Sequence, residues 1–245
     1  MEKVCLIKQP AGIGDIFFCQ KIAKLVLSKG NYNKIIWPVV QQYSYLNEYM
    51  GTEQIDFCSE QDDFMHKDLY HSNYLQIYKT DDVVYVPLFT SDRVITLPNP
   101  RAHGHMKYKF CNMSCQNWKD YFDFKRNYDR EKALVERLGV DINEKYNIVN
   151  KNYGTFPDYL TREDVEPNNN YKNVYMDFYD DVRLFDWLTL FENAHEIHTM
   201  ECGVHYLLEK LNLENVFIYS KFFAHADDDF SYMKDHCSEK WTYIK

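Results

Sequence analysis

The chain has little glycine, 8 in 245 residues, and no CxxC pair. It has no apolar run approaching ~18 residues and no excess of positive charge. Each absence excludes something. Without a long apolar run, no integral membrane segment is expected. With 28 basic against 37 acidic residues the formal charge is −9, so a broad nucleic-acid footprint is excluded. Any bound phosphate must then be met by local charges. Seven cysteines, an odd number in no regular framework, read as reduced thiols of a cytoplasmic protein. Met1-Glu2-Lys3 runs straight into an apolar strand, so no leader peptide is expected. What the chain does have is aromatic surface: 17% of residues, with 21 Tyr and 16 Phe, a composition of packed elements and not of disorder.

The most informative stretch is QPAGIGDIFF, Gln9 to Phe18. It follows the apolar run Val4 to Ile7, and after it Phe18, Ile22, Leu25 and Val26 recur at helical spacing. The stretch therefore reads as strand, glycine turn, helix. Gly12 and Gly14, flanking Ile13, let the backbone turn sharply and leave it open to a ligand. A helix start there would suit an anion. Asp15 opposes that use, and fits instead as a base or as a cap on its own helix, with the charged ligand held from elsewhere. A plain βα turn is the bland alternative. A P-loop is excluded, because no Lys followed by Ser or Thr closes the turn. A dinucleotide fold lacks its ribose-binding acid, since Lys34 to Val40 contains none. The same gap weakens a methyltransferase reading.

Strands and helices alternate along the rest of the chain. Strands are expected at Lys34–Val40, Asp56–Cys58 and Val83–Leu88, and helices from Asp15 to Gly30 and from Gln41 to Met50. Thr90 to Gly104 reads as a loop, and Met113 to Leu138 as a helical region broken near Asn127 and closed by Gly139. Alternation then restarts, with strands at Tyr146–Asn150, Val174–Phe178, Glu196–His198 and Val216–Tyr219. Helices are expected around Leu184–Phe191 and from Cys202 to Leu211. This predicts an α/β fold of two compact, doubly wound Rossmann-like lobes, 1–140 and 141–221, with a cleft between them. A tail, 222–245, is expected to pack back across both.

The second half carries its own strand, turn and helix in EIHTMECGVHYLLEKL, Glu196 to Leu211. Cys202 and Gly203 open the helix, where their N–H groups could take a diphosphate. Glu201 just before them could accept two hydroxyl hydrogen bonds from a polyol, or simply balance the helix dipole. Lys151 stands where the first strand of this half ends, the edge on which doubly wound sheets bind ligands. It reads as a cation for a leaving diphosphate, aided by Asn152, or as a solvated turn lysine. Arg126, between two helical segments, is a weaker candidate of the same kind.

Taken together, GIGD at a first-strand turn and ECGVHYL at a late helix start resemble the GT-B glycosyltransferases of the heptosyltransferase type, the family 9-like group. Glu201, Cys202 and Tyr206 stand where that group's motif has Asp, Thr and His. The resemblance implies a metal-independent, inverting transfer of a sugar from a nucleotide-sugar to a hydroxyl acceptor such as a glycan, with Asp15 as base. It implies a donor side of Lys151, Asn152, Thr199, Glu201, Cys202, Gly203 and Arg126. The acceptor or phosphate loop would be Gly12, Ile13 and Gly14, with His103 and His105 beside it. The nucleotide-sugar is then a co-substrate, and no resident cofactor or metal is expected. Zinc at His103, His105, Cys111 and Cys115 is disfavoured by the spacing. Asp227-Asp228-Asp229 lies too near the C-terminus for a donor-binding metal motif and reads as a solvated helix start. The alternative is a non-catalytic nucleotide- or sugar-binding protein of the same fold.

Overall fold

The computed structural model describes residues 3–30, 32–72, 74–88, 103–154, 160–177, 179–220, 230, 233 and 236–245. They form two units, Met1–Lys125 and Arg126–Lys245. The first runs β1 (Val4–Lys8), α1 (Ile13–Phe18), α2 (Gln20–Gly30), β2 (Lys34–Val39), α3 (Leu46–Met50), β3 (Ile55–Ser59), α4 (Lys67–Tyr70), β4 (Tyr78–Lys79), β5 (Val83–Pro87) and α5 (His103–Phe110). Its sheet has the order β3-β2-β1-β5-β4, parallel except for β4 at the edge. β1 and β5 are buried along nearly their whole length, as strands covered on both faces must be.

Pro38 sits in β2, between two neighbours, where a missing N–H would normally break a ladder. The register explains why it is tolerated. Ile35 donates to Gln54 on the β3 side, so by alternation Pro38 faces β1. The β1–β2 ladder has already ended, at Leu6 opposite Ile36. The helical side of this unit is closed by aromatic rings. Phe17 stacks on Phe122 at 4.6 Å, while Phe18 meets Tyr108 edge-on at 4.9 Å and Trp118 at 5.5 Å.

The second unit runs α6 (Tyr128–Arg137), β6 (Tyr146–Asn150), β7 (Asn152–Tyr153), β8 (Leu160–Thr161), β9 (Lys172–Tyr175), α7 (Leu188–Asn193), β10 (Glu196–Met200), α8 (Val204–Lys210), β11 (Val216–Tyr219) and β12 (Thr242–Ile244). Five parallel strands form a sheet of order β12-β11-β10-β6-β9, and β7 pairs with β8 as a small antiparallel ribbon. Both halves are therefore doubly wound α/β units, as the alternation predicted. No helix among the described residues is long and apolar enough to cross a membrane.

Several local expectations are corrected. The expected helix at 41–50 is a 3-10 turn, Gln41–Tyr43, followed by the short α3. His103-Gly104, read as loop, opens α5. Met113 to Leu138 holds a 3-10 turn, Trp118–Tyr121, and α6, with Asn127 capping α6 by accepting the Arg130 N–H at 3.2 Å. The two compact units divide between those two pieces, after Lys125. The physical reason is a set of ion pairs. Glu131 of α6, only 1% exposed, accepts Arg126 Nε at 3.0 Å and Nη2 at 2.5 Å, and also the N–H and hydroxyl of Thr189. Arg130 clamps Asp186 through Nε at 2.9 Å and Nη2 at 2.7 Å. These contacts bind α6 to the Leu184–Trp187 turn and α7 of the second unit. The tail, for its part, contributes β12 to the second sheet, while most of 222–235 lies outside the described residues.

Removing the arginine that satisfies Glu131 leaves a carboxylate buried without its cation, a loss of about 3 kcal/mol. Arg126→Ala is expected to lower the unfolding free energy in urea by that amount. Glu192→Ala, which removes the outer partner of the same arginine, is expected to change it by less than about 1 kcal/mol.

Candidate functional site

In a doubly wound sheet the ligand edge lies beyond the carboxyl ends of two neighbouring strands whose connections leave in opposite directions. In the first unit this is the edge at the ends of β1 and β5, and the chain fills it with polar groups. β1 ends at Lys8 and passes through Gln9, Pro10 and Ala11 to Gly12, which caps α1 with a left-handed backbone, φ 75°. The conformation is strained for any L-residue, whereas a Cβ would meet only the movable end of Asp15, with Oδ2 2.9 Å away. The Asp15 carboxylate thus lies over the backbone of the turn.

Asp15 is the third residue of α1, and the helix start has no side-chain cap, so the capping role considered for it is not realised. Its Oδ1 lies 3.7 Å from Lys107 Nζ. Lys107 comes from α5, 7% exposed, and donates to Gln9 Oε1 at 2.5 Å and to the Leu88 carbonyl at 3.0 Å. Gln9, itself 1% exposed, is held by donating to the Ala11 carbonyl at 2.7 Å and accepting Trp37 Nε1 at 3.1 Å. One ammonium thus joins the end of β1, the end of β5 and the acidic turn. Nothing in the sequence pattern singled out Lys107, 92 residues beyond Asp15. Only the sheet order brings them together. His105, on the same helix, lies with its ring 6.1 Å from Phe18, in the aromatic group that also holds Tyr108 and Trp118. The side chain of His103 lies outside the described residues.

The equivalent edge of the second unit is at the ends of β6 and β10. Asn150, the last residue of β6, donates to Thr199 Oγ1 at 2.9 Å and to Cys202 Sγ at 3.3 Å. Its Oδ1 accepts the Asn152 N–H at 3.2 Å. One buried amide therefore gathers Thr199, Cys202 and Asn152, three residues expected on the donor side. Glu201, 4% exposed, is anchored through its N–H to the Tyr219 carbonyl at 2.9 Å. Gly203 leads directly into α8. Asn150 was missed from the sequence, although it adjoins Lys151, because a strand-ending residue looks like core.

Lys151 and Arg126 are engaged differently from the expectation. Lys151 Nζ donates to Glu166 at 2.5 Å and to the Glu163 carbonyl at 3.0 Å, because the segment after β8 folds back beside the end of β6. The hydrogen bond to Glu166 raises its pKa. Arg126 is divided between Glu131 and Glu192. Both charges are matched within the unit. A cation not singled out in the sequence is Arg162, 8% exposed, which pairs with Asp164 and donates to the carbonyls of Ser220 at 2.8 Å and Lys245 at 3.0 Å. Asp227-Asp228-Asp229 falls outside the described residues.

On β10, one residue from Thr199, His198 is 3% exposed and stacks on Phe217 at 4.3 Å. Its ring nitrogens meet Tyr219 Oη and Glu196 Oε2, each at 3.0 Å. Burial lowers its pKa, and the Glu196 carboxylate opposes that shift only in part. The fold thus favours the neutral ring. That contribution is complete above the ordinary histidine pKa of about 6.5 and is lost as pH falls below it, because the unfolded chain takes up the proton first. Urea midpoints are expected to fall between about pH 6.5 and pH 5, and to fall less steeply in His198→Gln. An equal slope in the variant would remove His198 as the cause.

No protein-family model matches this chain, and no curated protein does. Solved structures do. The family 9 glycosyl transferase from Veillonella parvula DSM 2008 aligns with a TM-score of 0.52 at 9% identity, over 89% of this chain and 80% of that one. The iron-containing dodecameric glycosyltransferase TibC from enterotoxigenic E. coli H10407 aligns with a TM-score of 0.51 at 10% identity, over 89% of this chain. The alignment spans 58% of TibC. At such identities the likeness is one of fold, that of two Rossmann-like α/β units of the GT-B-like kind.

Proposed function

We propose that the protein is a glycosyltransferase that moves a sugar from a nucleotide-sugar donor to a hydroxyl acceptor. The observation that carries this reading is the pair of acid-bearing turns, Gly12–Asp15 and Glu201–Gly203, each at the ligand edge of its own doubly wound sheet. The GT-B-like fold supports it further.

In this reading Asp15 takes the proton of the acceptor hydroxyl as its oxygen attacks the anomeric carbon. The bond from that carbon to the diphosphate breaks on the opposite face, and the nucleoside diphosphate leaves with the electron pair, so configuration inverts. Lys107 is a positioning residue, fixing Asp15 against the glycine turn. Glu201 receives sugar hydroxyls. The N–H groups of Cys202 and Gly203 receive the diphosphate, ordered by Asn150 through the Cys202 thiol, with Thr199 and Asn152 in the same network. The nucleotide-sugar is a co-substrate, and the roles assigned call for no resident metal.

The matched charges of Lys151 and Arg126 favour a second reading, a non-catalytic nucleotide- or sugar-binding protein of the same fold. A leaving diphosphate is best served by an unengaged cation. One experiment separates the two. The full chain is screened by thermal shift against nucleoside diphosphates and nucleotide-sugars, and release of nucleoside diphosphate is then followed with each donor that binds. A ligand at a hundred times its dissociation constant adds about 2.7 kcal/mol of stability. Asp15→Asn is expected to keep that shift while turnover falls about 10²- to 10⁴-fold. Binding without turnover in the unaltered protein selects the binder. A shift with S-adenosylmethionine alone overturns both.

A further inference from the structure

Among the described residues, one group of metal-ligating side chains gathers within reach of a single ion: His205, His236 and Cys237. We infer that these three residues form a structural zinc site that fastens the C-terminal segment to α8. This inference does not rest on sugar transfer, since none of the three has a role in it.

A ligand atom from each residue lies within 4.8 Å of the other two. Tetrahedral zinc, with Zn–N near 2.0 Å and Zn–S near 2.3 Å, asks for donors about 3.5 Å apart. The set therefore closes by at most about 1.3 Å on binding, within reach of side-chain rotation. Two imidazoles and a thiolate are the donor types that zinc prefers, and they leave a fourth position for water or a carboxylate. His205 and Cys237 are 5% and 6% exposed, so an ion between them would be largely withdrawn from solvent.

The surroundings hold the donors in place, as the outer shell of a metal site does. Cys237 and His236 lie on a tight turn whose N–H groups both donate to the Met233 carbonyl, at 2.7 and 2.9 Å. That turn is tied to α8 by Glu209, which accepts the Ser238 N–H at 2.8 Å. Glu209 stands one helical turn beyond His205, on the same face. Tyr206 stacks on the His236 ring at 5.7 Å, with 15° between the planes. On binding, the Cys237 thiol gives up its proton to solvent and the two imidazoles coordinate as neutral rings. The consequence is mechanical. His205 lies three residues beyond Cys202, so a bridge from His205 to Cys237 fixes the first turn of α8, and with it the Glu201–Gly203 turn, to the strand that closes the sheet.

The test uses the full chain, purified without a histidine tag, with zinc content measured by mass spectrometry and melting temperature followed after chelation and on adding Zn²⁺. About one zinc per chain is expected, with a rise in melting temperature of about 5 °C on restoring it. Both are expected to be lost in His236→Asn and in Cys237→Ser, each checked for native circular dichroism, and kept in Cys115→Ser. Cobalt in place of zinc is expected to give a thiolate charge-transfer band that Cys237→Ser abolishes. No bound zinc and no rise in the unaltered protein, or zinc retained by both folded variants, would overturn the site.

Discussion

A buried ammonium is tolerated only where acceptors surround it, and Lys107 is the point at which the first unit meets that constraint. Its partners are the Gln9 side chain at the end of β1, the Leu88 carbonyl at the end of β5 and the Asp15 carboxylate of the glycine turn. Three separate pieces of chain must reach the same place for the charge to be matched. The order β2-β1-β5 does this by setting the first and fifth strands side by side. α5 supplies the lysine, and it is fixed in turn by Tyr108, whose hydroxyl donates to the Phe18 carbonyl at the far end of α1. The charge pattern of the site and the packing of the helices are thus one requirement.

The second unit solves the same problem without a charge. At its ligand edge the connecting group is Asn150, whose amide gives its N–H bonds to Thr199 and Cys202 and takes one from Asn152. A neutral amide can be buried at modest cost once hydrogen-bonded, whereas a second buried ammonium would need a second carboxylate. That carboxylate would stand where an anionic ligand is expected. The cations available nearby, Lys151 and Arg162, are instead drawn to Glu166 and Asp164. The two edges therefore differ in kind: one holds an ion pair, the other a neutral network beside a short helix.

Much of this was legible in the sequence. The strands that form the centres of both sheets are continuous apolar runs, and both glycine turns lie where the change from strand to helical period put them. What could not be read is what depends on distant segments meeting. Lys107 has no local signature, and its importance follows from sheet order alone. Asn150 was hidden by looking like core. The attachment of α6 was equally hidden: its C-terminal glycine, Gly139, looks like a domain end, whereas Glu131 and Arg130 attach the helix to residues more than fifty positions later. Lys151 and Arg126 were singled out by position, but position does not reveal which acids will fold back against a cation.

On the proposed reading, a chain of formal charge −9 takes up an anionic donor against a general repulsion. The decay length of that repulsion in physiological salt is about 8 Å, so charges scattered over the surface contribute little at the site itself. What acts there is short-range. The N–H groups that open α8 point along their own bonds, and in a partly desolvated turn each interacts more strongly than it would in water. Glu201 is the complication, since its carboxylate adjoins those same groups. Its burial and its backbone anchor to Tyr219 hold it at one fixed place. A carboxylate so placed repels a phosphate that approaches alone but accepts hydrogen bonds from a hydroxylated ligand. On the proposed reading, the turn discriminates between a bare anion and an anion that carries a sugar, with an acid where a simple phosphate site would have none.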